Sequence, residues 1–245
     1  MTQPPERRVA IVQSCYVPWK GYFDIIGSVD LFIIYDDVQY AKAHWHNRNQ
    51  ILTASGPKWM TIPVLTRGDR FQAIKEVQIS QPFVDKHWRS LEYNYSRAPH
   101  WEGNRAWVYD LYARARDMES LSEINVMFMR AISDWLGFST KFVFSDELGK
   151  YGGQTERLVK LCQAVGATTY LSGPTAAAYI EAERFADAGI SLEWMNYDRY
   201  PPYPQQFSPF THAVTILDLI FNVGPAARSY MKAPDSRANP DGIPR

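Results

Sequence analysis

Two aspartates in succession, Asp36 and Asp37, open the densest polar stretch of the sequence, which continues through Gln39, Tyr40, His44, His46, Asn47, Arg48 and Asn49. A carboxylate in such company can take a proton from an amine, position that amine or hold a cation. On an extended backbone, neighbouring residues point to opposite sides, so one aspartate can face a site while the other caps a turn. A solvated strand end would show the same pair. Arg48 between two asparagines fits an anion fork, since a guanidinium meets phosphate or carboxylate with two parallel bonds and the amides fill the remaining acceptors. A structural ion pair would use the same residues. We take Asp36, Asp37 and Gln13 as catalytic candidates. The substrate-binding candidates are Tyr16, Lys20, Tyr22, Gln39, Tyr40, His46, Asn47, Arg48, Asn49, His87, Ser172 and Gly173. Ser172-Gly173 precedes a helical segment and offers backbone N–H groups to a phosphate, although a plain cap explains it equally well. Cys15 stands where a nucleophile would be placed, and a histidine such as His44, His46 or His87 could activate it; a small buried thiol is the alternative. No metal site is expected, because His44-x-His46 lacks a nearby third ligand.

The elements that must position these groups follow from hydrophobic patterning. Val9–Val12 is an apolar run of strand length, followed by a loop with Pro18. A helical segment entered through Gly21 comes next, then a second apolar run, Leu31–Tyr35, that stops at the aspartates. Strand, loop, helix, strand is the order of a βαβ unit with parallel strands, whose ligand site lies beyond the carboxyl ends of the strands. Gln13, Asp36, Gln39, Asn47, Arg48 and Asn49 are therefore expected to line one cleft at that edge. Lys58–Val64 reads as a third strand, Thr66–Phe71 as a basic loop and Ile74–Ile79 as a short alternating strand. Helices are expected over 83–95, 102–116 and 120–136. The last has Ser120 and Glu123 in capping-box spacing and Gly137 at its end. Strand and helix then alternate: strands over 141–145, 169–171 and 191–197, and helices over 155–165, 174–180, 181–188 and 212–221. The sum is an α/β fold: a mainly parallel Rossmann-like sheet, helices on both faces, and a helical insertion at about 82–136. We expect one domain over 1–232 with a loose polar lead-in at 1–7, and a disordered tail over 233–245, which lacks apolar content.

Composition narrows the function classes. The 26 basic and 26 acidic residues cancel, and no long basic run exists, so binding nucleic acid by phosphate neutralisation is not expected. Two cysteines far apart suit a reducing cytoplasm better than a disulfide framework. The polar start lacks an apolar signal core, and no apolar run is long enough to span a membrane. Aromatic residues reach 14%, which suits sugar and nucleotide faces as well as cores.

The chain resembles the WbqC-like protein family of bacterial surface-polysaccharide gene clusters. The likeness rests on ordered blocks reaching to about residue 228. It begins with the Gln13 loop with Pro18 and Gly21-Tyr22-Phe23, Asp36-Asp37-Val38-Gln39-Tyr40, Asn47-Arg48-Asn49, Thr61-Ile62-Pro63-Val64 and His87-Trp88. It continues through Thr155-Glu156-Arg157, Leu171-Ser172-Gly173-Pro174, Tyr203-Pro204-Gln205 and Phe221-Asn222-x-Gly224-Pro225. The family often shows His-Gln-Pro or Met-Gln-Pro where this chain has Val12-Gln13-Ser14, so a histidine at position 12 is not needed here. The resemblance implies work on unusual amino sugars: transfer of an acyl or aminoacyl group, glycyl among the candidates, onto the amine of a nucleotide-linked amino sugar. The cofactor stays open, with ATP and an acyl carrier as the two candidates. A second likeness, to nucleotidylyltransferase-type folds that include an ATP-dependent amide-forming ligase, lacks that group's His-x-Gly-His turn, in whose place stands Lys20-Gly21-Tyr22-Phe23. The competing class is a non-catalytic carbohydrate or nucleotide-sugar binding module.

Overall fold

The computed structural model describes residues 6–66 and 71–233. The chain runs β1 (Arg8–Val12), α1 (Lys20–Gly27) and β2 (Leu31–Ile34), then two small hairpins, β3 (Arg48–Thr53) with β4 (Gly56–Thr61) and β5 (Val64–Leu65) with β6 (Gln78–Ile79). Three helices follow, α2 (Val84–Tyr95), α3 (Trp101–Ala115) and α4 (Leu121–Trp135). The α/β alternation resumes with β7 (Lys141–Phe144), α5 (Gln154–Ala164), β8 (Thr169–Ser172), α6 (Ala182–Asp187) and β9 (Ser191–Trp194), and α7 (Ile216–Val223) comes last.

Five strands form one parallel sheet in the order β7-β2-β1-β8-β9. This is a Rossmann-like arrangement: β1 is central, and the chain winds outward first to one edge and later to the other. Alternate residues of the central strands face opposite sides, as the period of two requires. Ala10, Phe32 and Ile34 join a core shared with α1, α2, α3, α4 and α7. Val9, Ile11 and Ile33 join a second core with Leu158, Leu161 and Cys162 of α5 and Phe185 of α6. Both faces are thus covered by helices, and α2–α4 are inserted within the crossover from β2 to β7.

The apolar runs at 9–12, 31–34 and 141–144 lie side by side in the sheet. Ser120 caps α4, its Oγ accepting the Glu123 N–H at 3.3 Å, and Gly137 takes φ +75 just past the helix. Some expectations change. Lys58–Val64 contributes no strand to the main sheet; its larger part is β4, paired antiparallel with Arg48–Thr53 around the Ala54-Ser55 turn. The Ile74–Ile79 alternation resolves into a 3₁₀ turn, Ile74–Glu76, followed by the two-residue β6. Pro174–Ala178 is also 3₁₀ rather than α-helix. The final helix starts at Ile216, because Thr215 caps it by accepting the Leu217 N–H, leaving 212–215 outside. Of the regions read as irregular, 1–5, 67–70 and 234–245 lie outside the described residues.

Candidate functional site

The loop from Gln13 to Trp19 leaves the carboxyl end of the central strand and is held from every side. Asp36, 1% exposed, accepts the Ser14 N–H at 2.8 Å on one carboxylate oxygen and the Ser122 hydroxyl of α4 on the other. The ring of His46, equally buried, donates from Nδ1 to the Ser14 carbonyl at 3.0 Å, and Asn125 of α4 donates to the Ser14 hydroxyl and to the His46 carbonyl. Asn49 donates from Nδ2 to the Tyr16 and Val17 carbonyls at 3.2 and 2.8 Å. The Tyr16 N–H donates to the Trp45 carbonyl at 3.0 Å. This clamp holds Val17 at φ +37, a strained conformation for a β-branched residue and one that stores about 1–3 kcal/mol.

Beneath the loop, Tyr16 is fully buried, its hydroxyl 2.8 Å from both His87 Nδ1 and the Tyr112 hydroxyl. His87 Nε2 faces the Thr61 carbonyl at 3.2 Å, so that nitrogen carries the hydrogen and Nδ1 accepts from Tyr16. Burial lowers the His87 pKa to about 4. Burial likewise lowers that of His46, and it raises the Asp36 carboxyl against the pull of its hydrogen bonds.

Just beyond the ends of β1 and β8, where the strand order reverses direction, lies a crevice of about 510 Å³. Gln13 enters it from β1, Ser172 and Gly173 from β8, and Gln154 from the start of α5. Its walls are aromatic: Trp19, Tyr22, Tyr35, Tyr170, Tyr179 and Tyr197. Burial raises the pKa of Tyr22, Tyr35, Tyr170 and Tyr197, so these phenols remain hydrogen-bond donors at neutral pH. Tyr22 donates to the Gln13 carbonyl at 2.7 Å, and Trp19 packs edge-on to Tyr197 with centroids 5.3 Å apart. Gly21 makes this possible: a Cβ there would stand 2.3 Å from the Trp19 ring. At the β2 end, Asp37 pairs with Arg157 of α5 and accepts the Ser145 hydroxyl at 2.6 Å. The Arg157 guanidinium lies 4.8 Å from the centroid of Tyr35, which lines the crevice, and its Nε has no partner.

The residues singled out from the sequence therefore divide. Gln13, Tyr22, Ser172 and Gly173 meet in the crevice, with Asp37 beside its wall. Asp36, His46, Asn49 and His87 stand behind the loop and hold it, and Tyr16 is the loop residue through which His87 does so. Asp36 and Asp37 do point to opposite sides, one toward α4 and the other toward α5. Of the six residues expected to line one cleft, only Gln13 lines this crevice. Asn47 donates to the Ile62 carbonyl at 2.9 Å within the hairpin region, and Gln39 is exposed. Arg48 lies 4.1 Å from the Trp59 ring centroid and donates to the Ala43 carbonyl. Tyr40 is buried against His46. Lys20 is buried too, donating to the Tyr230 and Pro201 carbonyls at 2.9 and 3.3 Å over the rings of Tyr200 and Tyr203, and burial lowers its pKa to about 8. Sequence reading missed Trp19, Tyr35, Gln154, Tyr179, Tyr197 and Arg157. The block Thr155-Glu156-Arg157 was the available signal for the last.

Sheet order and crevice define an α/β protein of doubly wound type, with a ligand-sized crevice at its topological switch point. The profile of the WbqC-like protein family matches residues 13–230, and the chain belongs to that family. It is 44% identical over 227 residues to the uncharacterized protein Rv1507c of Mycobacterium tuberculosis, covering 92% of this chain and 98% of that one. No solved structure matches it significantly. Among the described residues, no helix is long and apolar enough to cross a membrane.

Proposed function

We propose that this protein binds a nucleotide-linked amino sugar in the switch-point crevice and transfers an acyl or aminoacyl group onto the sugar amine. The observation that carries the reading is the crevice itself. Its aromatic faces suit base and sugar rings, its amides and protonated phenols suit hydroxyls and phosphate oxygens, and it sits where open α/β sheets bind such ligands. In the transfer, the neutral amine attacks the carbonyl of an activated donor such as a thioester. The new C–N bond forms, the bond from carbonyl to leaving group breaks, and the leaving group departs with its electron pair. We assign the amine proton to Asp37 and the orientation of the amine to Gln13; positioning supplies much of the acceleration.

The test is equilibrium binding of a panel of nucleotide-linked amino sugars, with mass spectrometry of each after addition of acyl thioesters or of glycine with ATP. Binding that weakens tenfold or more in Gln13→Ala and Tyr197→Ala, together with a donor-sized mass gain, supports the reading. Nucleotide-sugar binding that is absent, or indifferent to those substitutions, refutes it. One observation favours the non-catalytic alternative: both Asp36 oxygens are occupied, and Asp37 is tied to Arg157 and Ser145. Binding without mass gain across every donor would select that alternative.

A further inference from the structure

A second, smaller chamber of about 300 Å³ adjoins the crevice and shares Trp19 and Tyr22 with it. Those two rings form the partition. Tyr22 is fixed by its bond to the Gln13 carbonyl, and the Trp19 ring lies flush against α1 at Gly21. The other walls are Pro18, Trp45 and Ala213, and the polar groups reaching the chamber are Cys15, Asn49 and His212. None of the lining side chains is a carboxylate, lysine or arginine. The Asn49 amide is already committed to the loop carbonyls and the Gln50 N–H. Burial and the nearby Asp36 charge push the Cys15 thiol up, so it stays protonated and donates weakly to the Gln13 carbonyl. Burial and the charge on Lys20 lower the His212 pKa, and its Nδ1 lacks a partner. The chamber is an apolar pocket with one neutral polar pole.

We propose that this chamber holds the acyl chain of the donor, and that the chain is a short uncharged hydrocarbon acyl group rather than glycyl. The assignment rests on the acyl-transfer reading above, since the chamber adjoins the acceptor crevice at Trp19 and Tyr22, the edge at which donor carbonyl and amine would have to meet. A glycyl group would bring an ammonium into a space lined by no carboxylate, and desolvating an unpaired charge is prohibitive. A methylene chain meets rings, Pro18, Ala213 and the protonated Cys15 thiol, and the Asn49 amide beside it is already paired. Water occupies about 30 Å³ per molecule in the liquid, so the chamber offers the room of roughly ten waters, enough for a short chain.

The experiment uses the full chain and straight-chain primary amides from acetamide to hexanamide as probes, with glycinamide as the charged comparison. Binding is followed by ligand-observed NMR and by the fluorescence of Trp19 and Trp45, with maleimide added to detect any unfolded fraction. Cys162, fully buried in the second core, reports unfolding in the same sample. Each added methylene should tighten binding about fourfold, the equivalent of 0.8 kcal/mol per buried CH₂, until the chamber is full. Ala213→Trp, at an exposed position, should abolish amide binding while leaving nucleotide-sugar binding in the crevice unchanged. Glycinamide binding as tightly as propionamide, affinity independent of chain length, or amide binding that survives Ala213→Trp would each overturn the assignment. If the amides bind as expected but the wild-type crevice takes no nucleotide sugar, it is the transfer reading that fails, and the donor assignment falls with it.

Discussion

The imidazole of His87 offers a measurable pH dependence. Its folded-state pKa is lowered to about 4 by burial, against about 6.5 for an unfolded chain. A lowered pKa means that folding favours the neutral ring. The stability this provides is complete above pH 6.5 and is lost as pH falls toward 4. One pKa unit corresponds to about 1.4 kcal/mol, so the loss amounts to about 2 kcal/mol by pH 5 and about 3 kcal/mol by pH 4. Asp24, Asp36 and Asp218 act in the opposite direction, because burial raises their pKa values and protonation on acidification favours the folded state. The contribution of His87 is therefore the difference between wild type and His87→Gln. This replacement keeps an amide near the Tyr16 hydroxyl and the Thr61 carbonyl but does not titrate. Urea unfolding at pH 7, 6, 5 and 4 should show the variant about 1–3 kcal/mol less stable at pH 7. The gap should close, and then reverse or vanish, by pH 4. A gap that stays constant across this range would refute the claim that the neutral imidazole is what the Tyr16–His87–Thr61 chain requires.

Three further outcomes follow from the same geometry. Asp36→Asn should lower stability by about 1–3 kcal/mol while leaving turnover per folded molecule intact, whereas Asp37→Asn should reduce kcat by about 10²–10⁴ if Asp37 is the base; chemical denaturation and single-turnover kinetics separate the two. Gly21→Ala places a methyl into the Trp19 ring and should lower stability by about 1–3 kcal/mol, with weakened ligand binding in the crevice, read by thermal melting and Trp fluorescence. Asp218 accepts from Tyr95, Tyr203 and Gln205 at 2.8 Å each, so Asp218→Ala should destabilise by about 2–6 kcal/mol through the hydroxyls it leaves unpaired, measured by urea unfolding.

The sheet was legible because its central strands are buried on both faces, and continuous apolar runs such as Ala10–Ile11 and Phe32–Ile34 have no competing reading at that length. The hairpin was harder. Arg48–Thr53 carries three polar residues at its start, and its partner is a neighbouring strand rather than the sheet, so the pattern reflects local pairing more than a layer. The polar stretch after the aspartates is costly to bury. The cost is met by anchoring the Gln13–Trp19 loop, a role that differs from lining a cleft only in which way each side chain turns. The aromatic walls of the crevice come from four separate parts of the chain, Trp19–Tyr22, Tyr35, Tyr170–Tyr179 and Tyr197. Nothing in their spacing declares that they converge; strand order does, and strand order is not written in local periodicity.

Asp24, on the first helix, is fully buried, and its carboxylate accepts the Lys232 and Ala233 N–H groups at 2.8 and 2.7 Å as well as the Tyr200 hydroxyl. These partners lie up to 209 residues away along the chain. The central strand has a similar dependence, since β1 gains its second neighbour only when Thr169 and Tyr170 arrive. At about 5–20 residues per second of synthesis, α1 emerges from the ribosome about 10–40 s before the amides that satisfy its carboxylate. Through that interval Asp24 lacks the amides that satisfy it in the folded protein, so its carboxyl stays hydrated or takes a proton until residues 232 and 233 arrive. The first helix of the described residues is thereby tied to their last turn across 209 residues of sequence.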